Sequence, residues 1–271
     1  DAIDLVVFAG TPEWLGPRCQ PIIDFLDVYT DVPAMFVGVG TAEALYCLGE
    51  KEKRVLSRDR SLIITRSNVL ASEVNEQIGI EKAVPLPCPA VFAPELTYMP
   101  STSKKIAVII QTDKSVQPIN KIHFEQLRYV LNNINDDFDL IAFHQSEYLI
   151  LKSNFPHLNI RYTDSSFEVI RLLNQYQYVL STRLHGAIAA AGLGLASFIF
   201  KRDDYRIETT AGLFKSIISV RKPEKSIEWL ANVKESNPWE RHKRIRTFKE
   251  LNRRKYESIF DKFFEGLLRF C

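Results

Sequence analysis

What most constrains this chain is an alternation that runs through most of its length: short β-rich apolar runs, each followed by a segment of helical periodicity. Leu5–Ala9, Ala34–Val39 and the run "SLIITR" read as strands. Cys19–Tyr29, Ala42–Gly49 and Asn68–Ile78 read as the helices that follow them, Gly79 stopping the last. The pattern restarts with a strand at Lys105–Ile110, a helix at Ile122–Asn132 and a strand at Asp139–Phe143. Helix Glu147–Asn154, strand Asn159–Tyr162, helix Phe167–Gln175 and strand Tyr178–Leu180 follow, then a small helix and strand Ala196–Phe200. Single helices between strands imply parallel βαβ units with helices on both faces of a sheet. Between the two series lies "PLPCPAVFAPELTYMP", whose five prolines cannot continue a helix or a central strand. This stretch is read as a boundary, giving an α/β chain of two Rossmann-like domains, 1–99 and 100–271, expected to face a cleft.

A length of 271 residues accommodates two domains of ordinary size, and 46% apolar residues provide ample core. A formal charge of +2 gives no argument for nucleic acid as a partner. Four cysteines, Cys19, Cys47, Cys88 and Cys271, lack CxxC or metal-like spacing. They suit free thiols in a reducing cytoplasm, and no metal is expected. No apolar run approaches the roughly 18 residues of a membrane span. No signal peptide leads the chain, and Asp1 is not Met, so further residues are expected ahead of it.

The stretch "YQYVLSTRLHGAIAAAGLGLASFIF" holds the most informative feature, a polar hinge at Thr182, Arg183, Leu184, His185 and Gly186 between a strand and a small-residue helix. In open parallel sheets ligands bind beyond the carboxyl ends of strands, near the N-termini of the following helices. Ser181 or Thr182 is placed to cap that helix, and Gly186 permits close backbone approach. A cation at the positive end of a helix is unfavourable by a few tenths to about 1 kcal/mol. An anion between it and the free backbone N–H groups reverses that sign. Arg183 and His185 therefore read as a phosphate or carboxylate clamp with a proton donor beside it. The alternative is an Arg reaching a neighbouring carboxylate and a His bonding a loop carbonyl. On the clamp reading, Arg183 stabilises nothing without ligand, and its removal should cost little fold.

"STRLHGAIAAAGLGLASFIF" resembles the C-terminal motif of the polysaccharide pyruvyltransferase family, in which an Arg–x–His–Gly hinge precedes a small-residue helix. "FAGTPEWLGP", "VGVGTA", "ITRSNVLAS" and "PLPCPAVF" are similar, in order, to further family segments, so the resemblance spans roughly Asp4 to Leu213. It implies a glycosyltransferase-B-like fold and transfer of pyruvate from phosphoenolpyruvate onto two sugar hydroxyls, forming a cyclic ketal. It implies that Arg183 and His185, with Thr182 and Gly186, hold the donor from the C-terminal domain, and that Arg66 contacts it from the N-terminal one. His185 would be the acid that protonates the methylene carbon, and no cofactor beyond the donor substrate is demanded. The chain departs from the family pattern at Ser67 and Cys88, where the family has Asp. The family's early glycine-rich loop is absent, implying an incomplete N-terminal domain.

Other candidates come from position. Glu13, as a base, and Trp14, as a sugar-stacking ring, lie in the loop after the first strand; a packing plug is the plainer reading of the Trp. Asp204 and Tyr205 follow the last strand and are acceptor candidates. His144, directly after a strand, is a second candidate for proton transfer, ahead of His123. The final segment has the spacing of an amphipathic helix, expected to cross back to the first domain, and Phe260, Phe263, Phe264 and Leu267 are expected to be buried. Its basic run, Arg241 to Lys255, reads as a solvated face, or as a means of contact with the anionic inner surface of a membrane that presents a lipid-linked oligosaccharide acceptor. The expected activity is pyruvyl transfer in the making of a capsule or exopolysaccharide. A nucleotide-sugar glycosyltransferase of the same architecture and a non-catalytic glycan-binding relative are the alternatives.

Overall fold

The structure, a computed structural model, describes residues 3–10, 14–41, 47–95, 97–111, 125, 127–201, 217–219 and 223–269. It divides into two compact units. One comprises residues up to Pro89 with those from Glu250 onward; the other runs from Ala90 and includes residues up to Lys249.

The first unit holds four parallel strands, β1 (Val6–Ala9), β2 (Ala34–Val39), β3 (Ser61–Thr65) and β4 (Ala83–Pro85), in the order β1-β2-β3-β4. Every position of β3 is buried, as its place between two other strands requires. Helices α1 (Gln20–Val28), α2 (Glu50–Ser57) and α3 (Asn68–Ile78) connect them. Ile23, Leu26, Phe36, Val55, Leu56, Ile63, Leu70 and Val74 form the core. The ends of α3 follow from its sequence. Ser67 accepts a hydrogen bond from the Leu70 N–H at the N-cap, and Gly79, at φ 74°, closes the C-terminus on the Asn75 carbonyl.

One expectation in this unit is corrected. Gly49 does not end a helix but precedes one; residues 42–46 lie outside the described set. Helix α2 holds Val55 and Leu56 as its buried residues among straight-chain charged ones, so it shows little apolar periodicity. The proline-rich stretch begins inside a strand, since Pro85 closes β4. An edge strand tolerates a residue that cannot donate to the ladder.

The second unit holds β5 (Ile106–Ile109), β6 (Phe138–Ala142), β7 (Ile160–Tyr162), β8 (Tyr178–Ser181), β9 (Ala196–Lys201) and β10 (Ile217–Ser219), all parallel. The order is β10-β9-β8-β5-β6-β7. From β5 the chain winds outward through β6 and β7, then returns to β8 on the other side of β5. The winding direction thus reverses between β5 and β8, the topological switch point of a doubly wound sheet. The connecting helices are α4 (residues 127–133), α5 (Gln145–Asn154), α6 (Ser166–Leu173) and α7 (Leu184–Gly192), and α8 (Glu224–Val233) follows β10. At the amino end of this sheet the buried Asp139 carboxylate accepts from Tyr176 at 2.6 Å and Asn159 at 2.5 Å, and pairs with Lys105 at 2.9 Å. Burial would raise its pKa, but these partners outweigh burial and hold it below the usual carboxylate value. Burial and the Asp139 charge both push the Tyr176 phenol up.

The last helix, α9 (Pro238–Leu268), has 31 residues. Lys249, Asn252 and Tyr256 are its buried residues. Lys249 Nζ donates to the carbonyls of Pro94 and, at 3.2 Å, Gly192; Tyr256 Oη donates to the Pro87 carbonyl at 2.9 Å. The expected burial of the final aromatic stripe is not found. Phe260, Phe263 and Leu267 are half-buried and Phe264 is 44% exposed. The stripe keeps its spacing, but its cover thins toward the helix end. The basic run is mostly solvated, with two exceptions. Lys249 is buried, and Arg241 lies 5.8 Å from the Tyr178 ring centroid. Among the described residues no helix is long and apolar enough to cross a membrane.

Candidate functional site

The hinge occupies the carboxyl end of β8, directly at the switch point. Local bonds build it. Buried Ser181 donates its hydroxyl to the Arg183 carbonyl at 2.8 Å and accepts the Arg183 N–H at 2.9 Å, closing a side-chain turn. Thr182 N–H donates to the Ile109 carbonyl at 2.9 Å, and Thr182 Oγ1 accepts the Gln111 N–H at 2.8 Å. The hinge and the segment leaving β5 are thus tied together where the sheet reverses.

Arg183 is the N-cap residue of α7, with extended backbone and no side-chain cap. The expectation that Ser181 or Thr182 caps the helix is therefore corrected; the Ser181 hydroxyl is engaged in the turn and that of Thr182 with the Gln111 N–H. The first-turn N–H groups of α7, those of Leu184, His185 and Gly186, point out of the helix end, as in any α-helix, and make a donor cluster suited to an anion. His185 is exposed on this first turn. Gly186 has a different role from close approach to a ligand. It is buried, and a Cβ there would lie 3.2 Å from Ile109 Cδ1 and from the Phe143 ring. It lets the first turn of α7 sit on the ends of β5 and β6.

Arg183 is engaged by the protein's own groups. Its Nη2 donates to Oε1 of Glu147, a carboxylate that is fully buried and also accepts the Phe143 N–H at 3.0 Å. The guanidinium carbon lies 5.6 Å from the Phe143 ring centroid. Arg183 Nε is buried without a hydrogen-bond partner among the described residues. The anion that makes a cation tolerable at this helix end is thus supplied, in part, by the protein itself. The expectation that removing Arg183 costs little fold is corrected accordingly, because removal would take from a buried carboxylate the cation it is paired with.

Sequence reasoning missed Glu147. It lies in the first turn of α5, where an acidic residue is an ordinary helix-start signal. Only the crossover that places β6 and β8 on either side of β5 brings it to the hinge. His144, at the N-cap of α5, is exposed at the same carboxyl edge.

In the first unit Arg66 follows β3 and is 2% exposed. Its N–H donates to the Val39 carbonyl at 3.0 Å. Its guanidinium lies against Gly40, where a Cβ would come within 2.3 Å of Nε. Such burial leaves little of it for direct contact with a donor. Ser67 caps α3, a role that an Asp would fill equally well, so the helix start tolerates this departure from the family pattern. Cys88 is buried.

Trp14 is a core residue rather than a sugar platform. It is 2% exposed with its ring 5.9 Å from that of Phe36, and its indole N–H is buried without a hydrogen-bond partner among the described residues. A ring so enclosed packs the core and has no face left to stack on a solvated ligand. Glu13, His123, Asp204 and Tyr205 lie outside the described residues. Among the described residues no group of three His, Cys, Asp or Glu side chains is arranged to hold a metal ion.

The parallel sheets, the second of them doubly wound, accord with the glycosyltransferase-B-like fold expected from the sequence. Solved structures of that kind share the fold of this chain. UDP-GlcNAc 2-epimerase of Methanocaldococcus jannaschii, in complex with UDP-GlcNAc and UDP, is 14% identical with a TM-score of 0.57, over 87% of this chain and 70% of its own. A mutant form of TarM from S. aureus, in complex with fondaparinux, alpha-GlcNAc-glycerol and UDP, is 14% identical with a TM-score of 0.58. That match covers 93% of this chain and 54% of the other, so the chain spans about half of TarM. UDP-GlcNAc 2-epimerase of Neisseria meningitidis, bound to UDP-GlcNAc, is 13% identical with a TM-score of 0.55, over 89% of this chain and 70% of its own. No curated protein matches the chain in sequence. The sequence model of the family described as polysaccharide pyruvyl transferase matches residues 3–204. The chain belongs to that family of transferases.

Proposed function

We propose that this protein transfers pyruvate from phosphoenolpyruvate onto two hydroxyls of a cell-surface polysaccharide or its lipid-linked precursor, forming a cyclic ketal. The observation that carries the reading is the hinge: the first-turn N–H groups of α7, an oriented Arg183 and an exposed His185, together at the switch point of the second unit. Phosphoenolpyruvate presents both a phosphate and a carboxylate to such donors. In the overall reaction both hydroxyl oxygens bond to the carbon that bore the phosphate. One of their protons ends on the methylene carbon, which becomes a methyl group, and the other leaves with phosphate. His185 delivers the first proton, and the α7 N–H groups with Arg183 stabilise the departing phosphate. Glu13 is the candidate base for a sugar hydroxyl. Asp204 and Tyr205 are the remaining acceptor candidates, and we assign the reaction to the cytoplasmic side of the membrane. There the solvated cations of Arg241 to Lys255 favour contact with anionic lipid.

A nucleotide-sugar donor rests on the fold alone, through neighbours solved with UDP. Turnover separates the two. Incubating the full-length protein with carbon-13-labelled phosphoenolpyruvate and a panel of diol-bearing glycans should produce a quaternary ketal carbon together with equimolar phosphate. Release of UDP from UDP-sugars, with no ketal signal, would overturn the proposal.

A further inference from the structure

Glu147 poses a question that the donor reading leaves open. A carboxylate with no exposed surface is costly to bury, and a buried ion pair is weak evidence of stabilisation, since an apolar pair of similar volume often serves as well. Its placement suggests what the pair is for. Glu147 sits on the β6–α5 side and Arg183 on the β8–α7 side, and in the sheet β5 lies between their strands. The pair therefore spans the end of the strand at which the winding reverses. The carboxylate itself is anchored. It lies in the first turn of α5, where the helix dipole favours negative charge, and it holds the Phe143 N–H at 3.0 Å. The Phe143 ring borders the guanidinium at 5.6 Å from its centroid, so the same loop constrains Arg183 by its ring and, through Glu147, by charge. An Arg side chain otherwise has considerable rotamer freedom, which binding an anion would have to remove.

We propose that Glu147 is a positioning residue. Its anchored carboxylate fixes the Arg183 guanidinium at the β5/β8 switch point before the donor arrives, so that binding is not opposed by ordering of the arginine. This rests on the reading of the hinge as the phosphoenolpyruvate site. Glu147 touches no donor atom in this account; it acts through Arg183.

The test uses the full-length protein and calorimetric titration with phosphoenolpyruvate. Glu147→Gln, which keeps an acceptor but removes the charge, should weaken binding about tenfold or more. It should raise KM for phosphoenolpyruvate more than it lowers kcat. Arg183→Lys should lose a similar factor, and the double variant should lose no more than either alone, because both changes remove one interaction. Glu147→Asp, charged but one methylene shorter, is the second variant should Glu147→Gln fail to fold, and it should also weaken binding. A folded Glu147→Gln or Glu147→Asp protein with wild-type affinity, whatever its urea midpoint, would overturn the positioning role alone. A wild-type protein that fails to bind phosphoenolpyruvate would overturn the donor reading and this role with it.

Discussion

Arg183→Ala should destabilise the second unit. In the native protein the Glu147 carboxylate accepts from Arg183 and from the Phe143 N–H. The substitution removes this cation from beside a carboxylate with no exposed surface. Breaking a buried pair by deleting one partner costs about 3–5 kcal/mol. For a unit of this size that corresponds to a fall in Tm of roughly 6–20 °C, at about 2–4 °C per kcal/mol. Urea unfolding followed by Trp229 fluorescence reports on this unit, because that ring packs 5.2 Å from Phe198. Arg183→Ala combined with Glu147→Gln should recover part of the loss. An Arg183→Ala midpoint equal to that of the wild type would show that the pair with Glu147 does not stabilise the unit.

Three further outcomes follow. Asp139→Asn should flatten the acid limb of the stability curve. The depressed Asp139 pKa contributes stability above its unfolded value near 3.9 that is lost as pH falls through the folded pKa, and a urea series in acid reads this directly. Ser67→Ala should cost about 1 kcal/mol through loss of the α3 cap, while Ser67→Asp should be close to neutral, both measured by thermal unfolding. Gly194→Ala should be markedly destabilising, beyond the roughly 1–3 kcal/mol of backbone strain alone. Its φ is +82° and a Cβ would lie 2.8 Å from the His242 backbone, so wild-type Tm in this variant would contradict the structure at the start of α9.

The strand–helix alternation was readable because buried parallel strands are short apolar runs, and β3 and β8, fully buried in the structure, stand out as such. The hinge was readable because "STRLHG" breaks such a run with polar residues and a glycine. What the residues at Arg183 meant was not readable, since its partner lies 36 positions away and arrives only through the sheet's reversal. Trp14 illustrates the opposite difficulty: a Trp in a glycine and proline loop looks the same in sequence whether it faces solvent or, as here, Phe36. The aromatic stripe of α9 was legible as a stripe, but how much cover it finds is a tertiary property that periodicity does not encode.

The most direct measurement of the central claim is thermal unfolding of the full-length protein with each candidate donor. A ligand that binds only the native state adds RT ln(1 + [L]/Kd), about 2.7 kcal/mol at a hundredfold excess over Kd. Phosphoenolpyruvate should raise Tm and UDP should not, and the rise should be lost in Arg183→Lys. A rise with UDP and none with phosphoenolpyruvate would contradict it.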